Sequence, residues 1–245
     1  MNIIDFLFPK ICVGCGKSGD YLCNSCFSQI QKLNDFCPYC RQYSYKGKTH
    51  KSCEMRLGLD GVKVCWKYAG NMRKLLLKLK YNFSYDIAEF LADKLNSELQ
   101  TNSEFYKRAV FVPVPLHKGR ERWRGFNQEE EVCRKLCELN NWRMEELLIR
   151  KKPTKTQARL KGQERKENVK DVFEINPRID SATSNVLRTA SSSARFLKIA
   201  SFDTLDYERV IIFDDVWTSG STIKECCKVL KKAGVKQVWG MTIAG

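Results

Sequence analysis

VIIFDDVWTSGST, residues 210–222, places two adjacent acids and a loop of small residues directly after an apolar run. The run 210–213 predicts a buried strand that ends at Asp214 and Asp215. The loop around Gly220 then leads into a helical pattern. In an open α/β sheet, ligands bind beyond the carboxyl ends of the strands, which is where this order of elements places the acids and the loop. The stretch therefore predicts an α/β fold with a ligand site at residues 214–222.

The same stretch indicates what kind of ligand the site takes. Backbone N–H groups and the helix dipole at the start of a helix favour a phosphate. Two carboxylates repel a phosphate but accept hydrogen bonds from hydroxyl groups, so a ribose 5-phosphate fits both halves of the stretch. The alternatives are a metal-binding acid pair on a Walker B strand or on a receiver-domain strand. No phosphate-loop motif accompanies a Walker B strand here, and a receiver domain carries its acids near its start.

From residue 59 onwards, strand and helix patterns alternate, which is typical of a mainly parallel sheet flanked by helices. Apolar runs predict strands at 61–69, 108–116, 171–175, 209–213 and 235–244. Amphipathic patterns predict helices at 71–81, 85–99, 126–140 and 220–234, the last ending at Gly234. The expected buried residues of the two middle helices are Ile87, Leu91 and Leu95, and Val132, Leu136 and Leu139.

Seven of the twelve cysteines precede residue 54, and they are spaced in pairs. The pairs are Cys12 with Cys15, Cys23 with Cys26, Cys37 with Cys40, and His50 with Cys53. One tight turn aims both side chains of such a pair at a single ion, and two turns complete a tetrahedral zinc site. The eight ligands predict two structural zinc ions, paired consecutively or crossed. The alternative is one zinc on four cysteines, with the other pairs degenerate or redox-active.

The zinc knuckles define a module at residues 1–58 that resembles a double zinc ribbon, followed by a second domain at 59–245. Five further cysteines lie in apolar or helical patterns and are interpreted as buried structural thiols. These are Cys65, Cys133, Cys137, Cys226 and Cys227.

The composition favours a chain that meets polyanions. The 245 residues carry a formal net charge of +15, which attracts nucleic acid, phosphorylated metabolites or an anionic membrane surface. No run approaches the roughly 18 apolar residues of a spanning helix. The N-terminal MNIIDFLFP contains Asp5 and Pro9 and does not resemble a secretory signal, so we expect a cytoplasmic protein in which cysteines bind metal rather than form disulfides.

Two segments interrupt the alternation of strands and helices. Residues 150–170 hold nine Lys or Arg against two Glu, without an apolar face. This run is interpreted as a functional basic loop, with a solvated charged face or a nucleic-acid surface as the alternative. Residues 176–206 are rich in Ser and Thr and are interpreted as a flexible insertion.

The stretch DDVWTSGST resembles the PRPP-binding motif of type I phosphoribosyltransferases, D-D-V-x-T-T-G-x-T, with Ser219 in place of the second threonine. FVPVPLHKGRERWRGFNQEEEV, residues 111–132, is similar to the signature of the ComF/GntX family, and so are MRKLLLKLKY, the 150–170 run and an N-terminal knuckle module. The resemblance covers nearly everything except residues 176–206. His50 departs from the family's all-cysteine pattern.

The resemblance implies a type I phosphoribosyltransferase-like sheet that binds PRPP with Mg²⁺. The PRPP-binding residues it implies are Asp214, Asp215, Thr218, Ser219, Gly220, Ser221 and Thr222. Basic residues of two loops would hold the pyrophosphate and close over the site: Lys118, Arg120 and Arg124 in the first, and Arg159, Lys161 and Arg165 in the second. Trp217 is expected to contact a base or to cover the loop, and His117 is assigned no catalytic role.

For function, the resemblance implies a PRPP-binding protein of DNA uptake during natural transformation, with single-stranded DNA and a DNA-uptake helicase as partners. Trp66, Trp123 and Trp142 are candidates for stacking on bases if they are exposed. The alternative is an active Mg²⁺-dependent phosphoribosyltransferase of nucleotide metabolism with an unknown acceptor. The sequence shows no glutaminase module and no N-terminal cysteine nucleophile, so an ammonia-using reaction is not predicted.

Overall fold

The computed structural model describes residues 9–81, 85–152, 167–177 and 209–245. Its strands, in chain order, are β1 (Gly61–Trp66), β2 (Ala109–Pro113), β3 (Arg143–Met144), β4 (Leu148–Arg150), β5 (Phe173–Ile175), β6 (Arg209–Val216) and β7 (Val238–Ala244). Five of them form one parallel sheet in the order β1-β7-β6-β2-β3. Strand β6 lies at its centre. The predicted α/β class, a parallel sheet flanked by helices, is confirmed.

The helices are α1 (Asn24–Phe27), α2 (Gly70–Tyr81), α3 (Tyr85–Leu99), α4 (Ser103–Lys107), α5 (Lys118–Arg124), α6 (Gln128–Asn140) and α7 (Ser221–Lys232). Short 3-10 turns lie at Tyr45–Gly47, Lys51–Cys53 and Gln100–Asn102. The four predicted helices are confirmed as α2, α3, α6 and α7. The predicted strand at 171–175 is shorter and lies outside the main sheet, since β5 pairs only with β4, in antiparallel fashion.

Alternate residues of the strands enter two cores, one on each face of the sheet. Phe111, Ile211 and Phe213 pack on one face with the apolar sides of α2, α3 and α6. Val112 and Ile212 point to the other face, where α7 covers them. This strand pattern is that of a sheet buried on both sides. The sheet is therefore covered by helices on both faces while its carboxyl edge carries the polar groups described below.

The buried face of α6 differs from the prediction. Val132 and Leu136 are buried as expected, but Leu139 is 50% exposed. Cys133 and Cys137 take its place in the core. Because these two small thiols lie one residue beyond the predicted stripe, the buried face is rotated by about a quarter of a turn.

The cysteine-rich segment packs against both cores. Cys12, Leu22 and Cys26 join the core beneath α2 and α3, and the Phe27 and Trp66 rings meet edge to face with 5.5 Å between their centroids. Isolated bridges join this segment to β1 at Lys32↔Trp66 and Lys48↔Gly61. The cysteine-rich segment therefore contributes side chains to the same hydrophobic interior as the sheet, and the division at residue 58 stays a prediction.

No helix within the described residues combines the length and the apolar composition needed to cross a membrane.

Candidate functional site

Three carboxylates meet at the carboxyl end of the central strand. Asp214 and Asp215 lie near the carboxyl end of β6, and Glu129 approaches them from the first turn of α6. One oxygen from each lies within 4.8 Å of the others. Asp215 is 6% exposed, Glu129 is similarly buried, and Asp214 is partly open to solvent. The predicted acid pair thus lies at the carboxyl end of the central strand and not inside the apolar core.

Lys80, from the last turn of α2, makes an ion pair with Asp215. Burial alone would disfavour its charge, but the charges of Asp215, Glu129 and Asp214 outweigh burial and raise the pKa of Lys80. The lysine is therefore charged at neutral pH and compensates one of the three carboxylates.

The pKa of Asp214 is raised well above its usual range, first by burial and then by the charges of Asp215 and Glu129. The backbone N–H of Asp215 donates to Asp214 Oδ1 over 2.8 Å, which opposes that rise. Three acids against one lysine leave an excess of negative charge. Such a group accepts hydrogen bonds from hydroxyls or holds a divalent cation through hard oxygen ligands, and it disfavours a direct phosphate contact.

The loop that follows the acids is built around Gly220. This residue has φ +69°, and a Cβ there would lie 2.3 Å from the Trp217 ring, so only glycine fits. Trp217 is 3% exposed and its ring packs beneath Gly220, so it supports the loop and presents almost no surface to a base. The hydroxyls of Ser219 and Ser221 lie 2.7 Å apart. The loop then enters α7, whose first-turn N–H groups and dipole favour an anion.

Two groups of four ligands lie in the cysteine-rich segment, and the pairing is consecutive. Cys12, Cys15, Cys23 and Cys26 form the first, and Cys37, Cys40, His50 and Cys53 form the second. In each group the ligand atoms all lie within 4.8 Å of one another. This donor set suits tetrahedral zinc, so two cysteine-rich clusters can each bind a structural zinc ion.

The second cluster shows how His50 takes part. Its Nδ1 lies 3.3 Å from Cys40 Sγ, and its Nε2 lies 3.1 Å from the carbonyl of Tyr43. A backbone carbonyl on the far ring nitrogen fixes the tautomer that presents Nδ1 to a metal. His50 therefore occupies the fourth ligand position of the second cluster, with Nδ1 beside Cys40 Sγ.

Backbone N–H groups favour the thiolate form of one cysteine in each cluster. Burial would raise the pKa of Cys12, but hydrogen bonds from the backbone of Cys15, Cys23 and Gly14 outweigh it and lower that pKa to about 6. Backbone hydrogen bonds lower the pKa of Cys37 to about 7 in the same way, against burial. Thiolate is the form that binds zinc.

Two cavities flank the sheet. One of about 560 Å³ lies near the carboxyl edge, between the segment that follows β2 and the β4–β5 pair, and His117, Lys118 and Asn127 line it. The other, of about 470 Å³, lies at the opposite end of the sheet, where Arg209 begins β6 and Trp239 is the second residue of β7. Of these two cavities, the one of about 560 Å³ is lined by the residues that directly follow β2, at the same end of the sheet as the acids.

Comparison with known proteins identifies relatives along the whole chain, although no family model matches it. The chain is 27% identical over 258 residues to Competence protein F of Haemophilus influenzae, with 100% of both chains covered. It is 25% identical to Competence protein ComFC of Streptococcus pneumoniae, over 89% of this chain and 84% of that protein. DNA utilization protein YhgH of Escherichia coli is 27% identical over 70% of this chain and 67% of its own. The chain is thus similar, along its whole length, to competence proteins of the ComF type.

The structure brings together only part of the predicted site. The acids and the loop 218–222 lie at one edge, and Lys118 is exposed at the start of α5. His117 caps α5, its Nδ1 accepting from the N–H of Gly119 over 3.2 Å, in agreement with a structural role. The side chains of Arg120 and Arg124 lie outside the described residues, as do Arg159, Lys161, Arg165 and most of the predicted insertion at 176–206.

Two of the three tryptophans considered for base stacking are buried. Trp66 is 2% exposed and Trp142 is 8% exposed. Trp142 lies flat against Phe111, with 5.2 Å between ring centroids, inside the core. The condition for stacking, an exposed ring, is not met at these two residues, because both pack on the face of the sheet. The side chain of Trp123 lies outside the described residues.

Sequence reasoning missed Lys80 and Glu129 in this site. Both left a signal in the helical pattern. Glu129 falls on the same face of α6 as Cys133 and Leu136, where a charged residue requires a partner. Lys80 follows Leu76 by four residues and so lies at the edge of the buried face of α2.

Proposed function

We propose that this ComF-family protein binds PRPP with Mg²⁺ at the carboxyl edge of its sheet and acts in DNA uptake in the cytoplasm. The family supports the second half, since relatives along the chain carry the names Competence protein F, Competence protein ComFC and DNA utilization protein. A helicase of the uptake machinery is the protein partner that such a role calls for.

The observation that carries the proposal is the position of the acids beside the glycine loop. Asp214 and Asp215 lie just before Val216, where the central strand ends, and α7 begins at Ser221, six residues after Asp215. A ribose 5-phosphate is the ligand whose diol suits the carboxylates and whose phosphate suits the loop.

Each group has a separate task in this proposal. The loop amides bind the 5-phosphate, and Asp214 accepts from the ribose hydroxyls. Lys80 pairs with Asp215 and holds it in place. Magnesium, when bound, would neutralise the pyrophosphate oxygens, and Asp214, Asp215 and Glu129 are the carboxylates placed to hold it, directly or through water.

The proposal is tested by titrating PRPP and Mg²⁺ into the full-length protein in a calorimeter. The double variant Asp214→Asn/Asp215→Asn should lose at least about a hundredfold in affinity, because two hydrogen bonds to charged groups are weakened together. Asp86→Asn, an exposed acid of α3 that pairs with Lys10, is the control for the loss of negative charge. Equal affinity of the double variant and the wild type would refute the proposed pocket.

The transferase alternative is favoured by one observation, the cavity of about 560 Å³ that lies beside His117 and Lys118. A cavity at this edge has room for an acceptor. Release of pyrophosphate from PRPP in the presence of candidate nucleobases would support turnover, and binding without release would support a binding protein.

For single-stranded DNA, the structure favours a different surface from the predicted tryptophans. Tyr43 is 71% exposed and Tyr45 is 66% exposed, between the third zinc pair and His50. Lys46 and Lys48 are exposed beside them, and with Tyr45 they line the cavity at the amino edge of the sheet. Exposed aromatic rings among lysines are the arrangement that stacks bases and tracks a phosphate backbone. We infer that this segment, residues 43–48, is the contact surface for single-stranded DNA.

Replacing both tyrosines by Ala should weaken binding of a short oligothymidine about tenfold or more, because stacking on one base contributes about 1–3 kcal/mol. Fluorescence anisotropy measures the effect at several salt concentrations. Tyr43→Phe/Tyr45→Phe keeps the rings and is the matched control, which should bind like the wild type. Affinity that does not fall with salt, or that survives the Ala pair unchanged, would rule out this surface.

A further inference from the structure

The Cys37–Cys40 knuckle of the second zinc cluster contacts the proposed phosphate loop. The guanidinium of Arg41, the residue directly after Cys40, donates to the carbonyl oxygen of Thr218. These two residues are 177 positions apart in the chain. The contact therefore joins the cysteine-rich segment to the loop that would hold the 5-phosphate.

Neighbouring side chains hold the two segments against each other. The Phe36 and Trp217 rings meet with 6.2 Å between their centroids. The ammonium of Lys224 lies 5.0 Å from the Tyr39 ring centroid and donates to the carbonyl of Ser219 over 3.2 Å. Two cations, one from each side, thus bind the consecutive carbonyls of the loop.

A comparison within the chain indicates that Arg41 is not there for the knuckle itself. In the first knuckle the equivalent position is Gly16, with φ +76°, and its N–H donates to Cys12 over 2.9 Å. Arg41 has φ +62° and makes the same bond to Cys37 over 3.0 Å. A left-handed backbone favours glycine, so a long charged side chain at this position calls for another reason. Its contact with Thr218 is the reason that the structure offers.

Peptide geometry explains what this contact does. In a planar trans peptide the carbonyl and the next N–H point in opposite directions. Holding the carbonyl of Thr218 therefore directs the N–H of Ser219 to the other side of the loop, and Lys224 does the same for the N–H of Gly220 through the carbonyl of Ser219. Successive N–H groups aimed to one side form an anion-binding concavity.

We propose that Arg41 is a positioning residue for phosphate: the zinc knuckle holds its guanidinium on the carbonyl of Thr218, and this orients the loop amides toward the 5-phosphate of the ligand. The proposal rests on the proposed function and adds a task to the second zinc cluster. That cluster is then part of the ligand site as well as of the fold.

The test replaces Arg41 by Gly, which suits the left-handed backbone and should leave the Tm of the ligand-free, zinc-loaded protein within about 2 °C of the wild type. Affinity for PRPP and for ribose 5-phosphate, each measured by calorimetry with Mg²⁺, should fall by the same factor of about ten, since both share the 5-phosphate. Arg41→Lys should restore part of the loss. Arg56→Gly removes an equal charge from the same segment and should bind like the wild type.

The outcomes separate this inference from the proposed function. If the wild type binds neither ligand, both fall. If the wild type binds and the Gly variant binds as tightly, the inference alone is overturned. It is also overturned if the Gly variant loses Tm together with affinity, which would mark a purely structural contact, or if it loses affinity only for single-stranded DNA.

Discussion

Replacing Asp215 by Asn should destabilise the protein, whereas replacing Asp214 by Asn should stabilise it, although the two acids are neighbours. Asp215 pairs with Lys80, whose side chain is 23% exposed, and Asn would leave that ammonium without its closest carboxylate. Breaking a buried pair costs about 3–5 kcal/mol, and partial exposure of Lys80 reduces this to about 2–3 kcal/mol. We expect a fall in Tm of about 5–10 °C.

Asp214 behaves in the opposite way because its pKa is raised in the folded state. Such a group stabilises the fold at pH values below its unfolded pKa, and this contribution is lost as pH rises through the folded pKa. At neutral pH, above the unfolded pKa, the raised pKa of Asp214 therefore destabilises the fold, and Asn removes both the titrating carboxyl and its repulsion by Asp215 and Glu129. We expect Tm to rise by about 2–4 °C, which corresponds to about 1 kcal/mol for a chain of this length.

Thermal unfolding from pH 5 to pH 8, at constant zinc content, distinguishes the two effects. The stabilisation by Asp214→Asn should grow as pH rises and shrink toward acid pH. The double variant Lys80→Met/Asp215→Asn should recover part of the loss of Asp215→Asn, because the unpaired ammonium is gone. Equal Tm values for the two single Asn variants would contradict this account of the acids.

The sequence predicts the central strand of the sheet, the acid pair at its end and the glycine loop after it, because all three depend on local patterns. The apolar run before Asp214 and the glycine after it need no partner to be recognised. The fourth zinc pair, His50 with Cys53, was likewise visible from spacing alone.

Contacts between distant segments were not predictable in this way. The partners of Asp215 come from α2 and α6, and Arg41 meets Thr218 from the other end of the chain. Helical periodicity marks Lys80 and Glu129 as charged residues on or beside a buried face, but it does not say which acid or base they meet. The prediction that Leu139 is buried fails for a related reason. It did not count Cys133 and Cys137 as core residues, and these two occupy the buried face instead.

Removal of zinc should have the largest effect on stability. Structural zinc contributes apparent free energies of about 10–16 kcal/mol in small zinc modules, which is comparable with the whole stability of a domain. The ligand knuckles place Cys12 and Cys26 in the main core and Phe36 against Trp217. A strong chelator should therefore unfold the cysteine-rich segment, expose one face of the sheet and lower Tm by more than 10 °C, an estimate of about 3 kcal/mol or more.

Metal analysis of single variants then tests the consecutive pairing. The wild type should hold two zinc ions per chain, one for each group of four ligands. His50→Ala should reduce the content to one, while His50→Cys restores the second ion because thiolate is an equally suitable ligand. Cys227→Ala removes a buried thiol that belongs to neither group and should retain both ions. A wild-type content of one zinc ion, unchanged in His50→Ala, would instead support a single site on Cys12, Cys15, Cys23 and Cys26. The Cys37–Cys40 knuckle would then need another means of holding Arg41 against the loop.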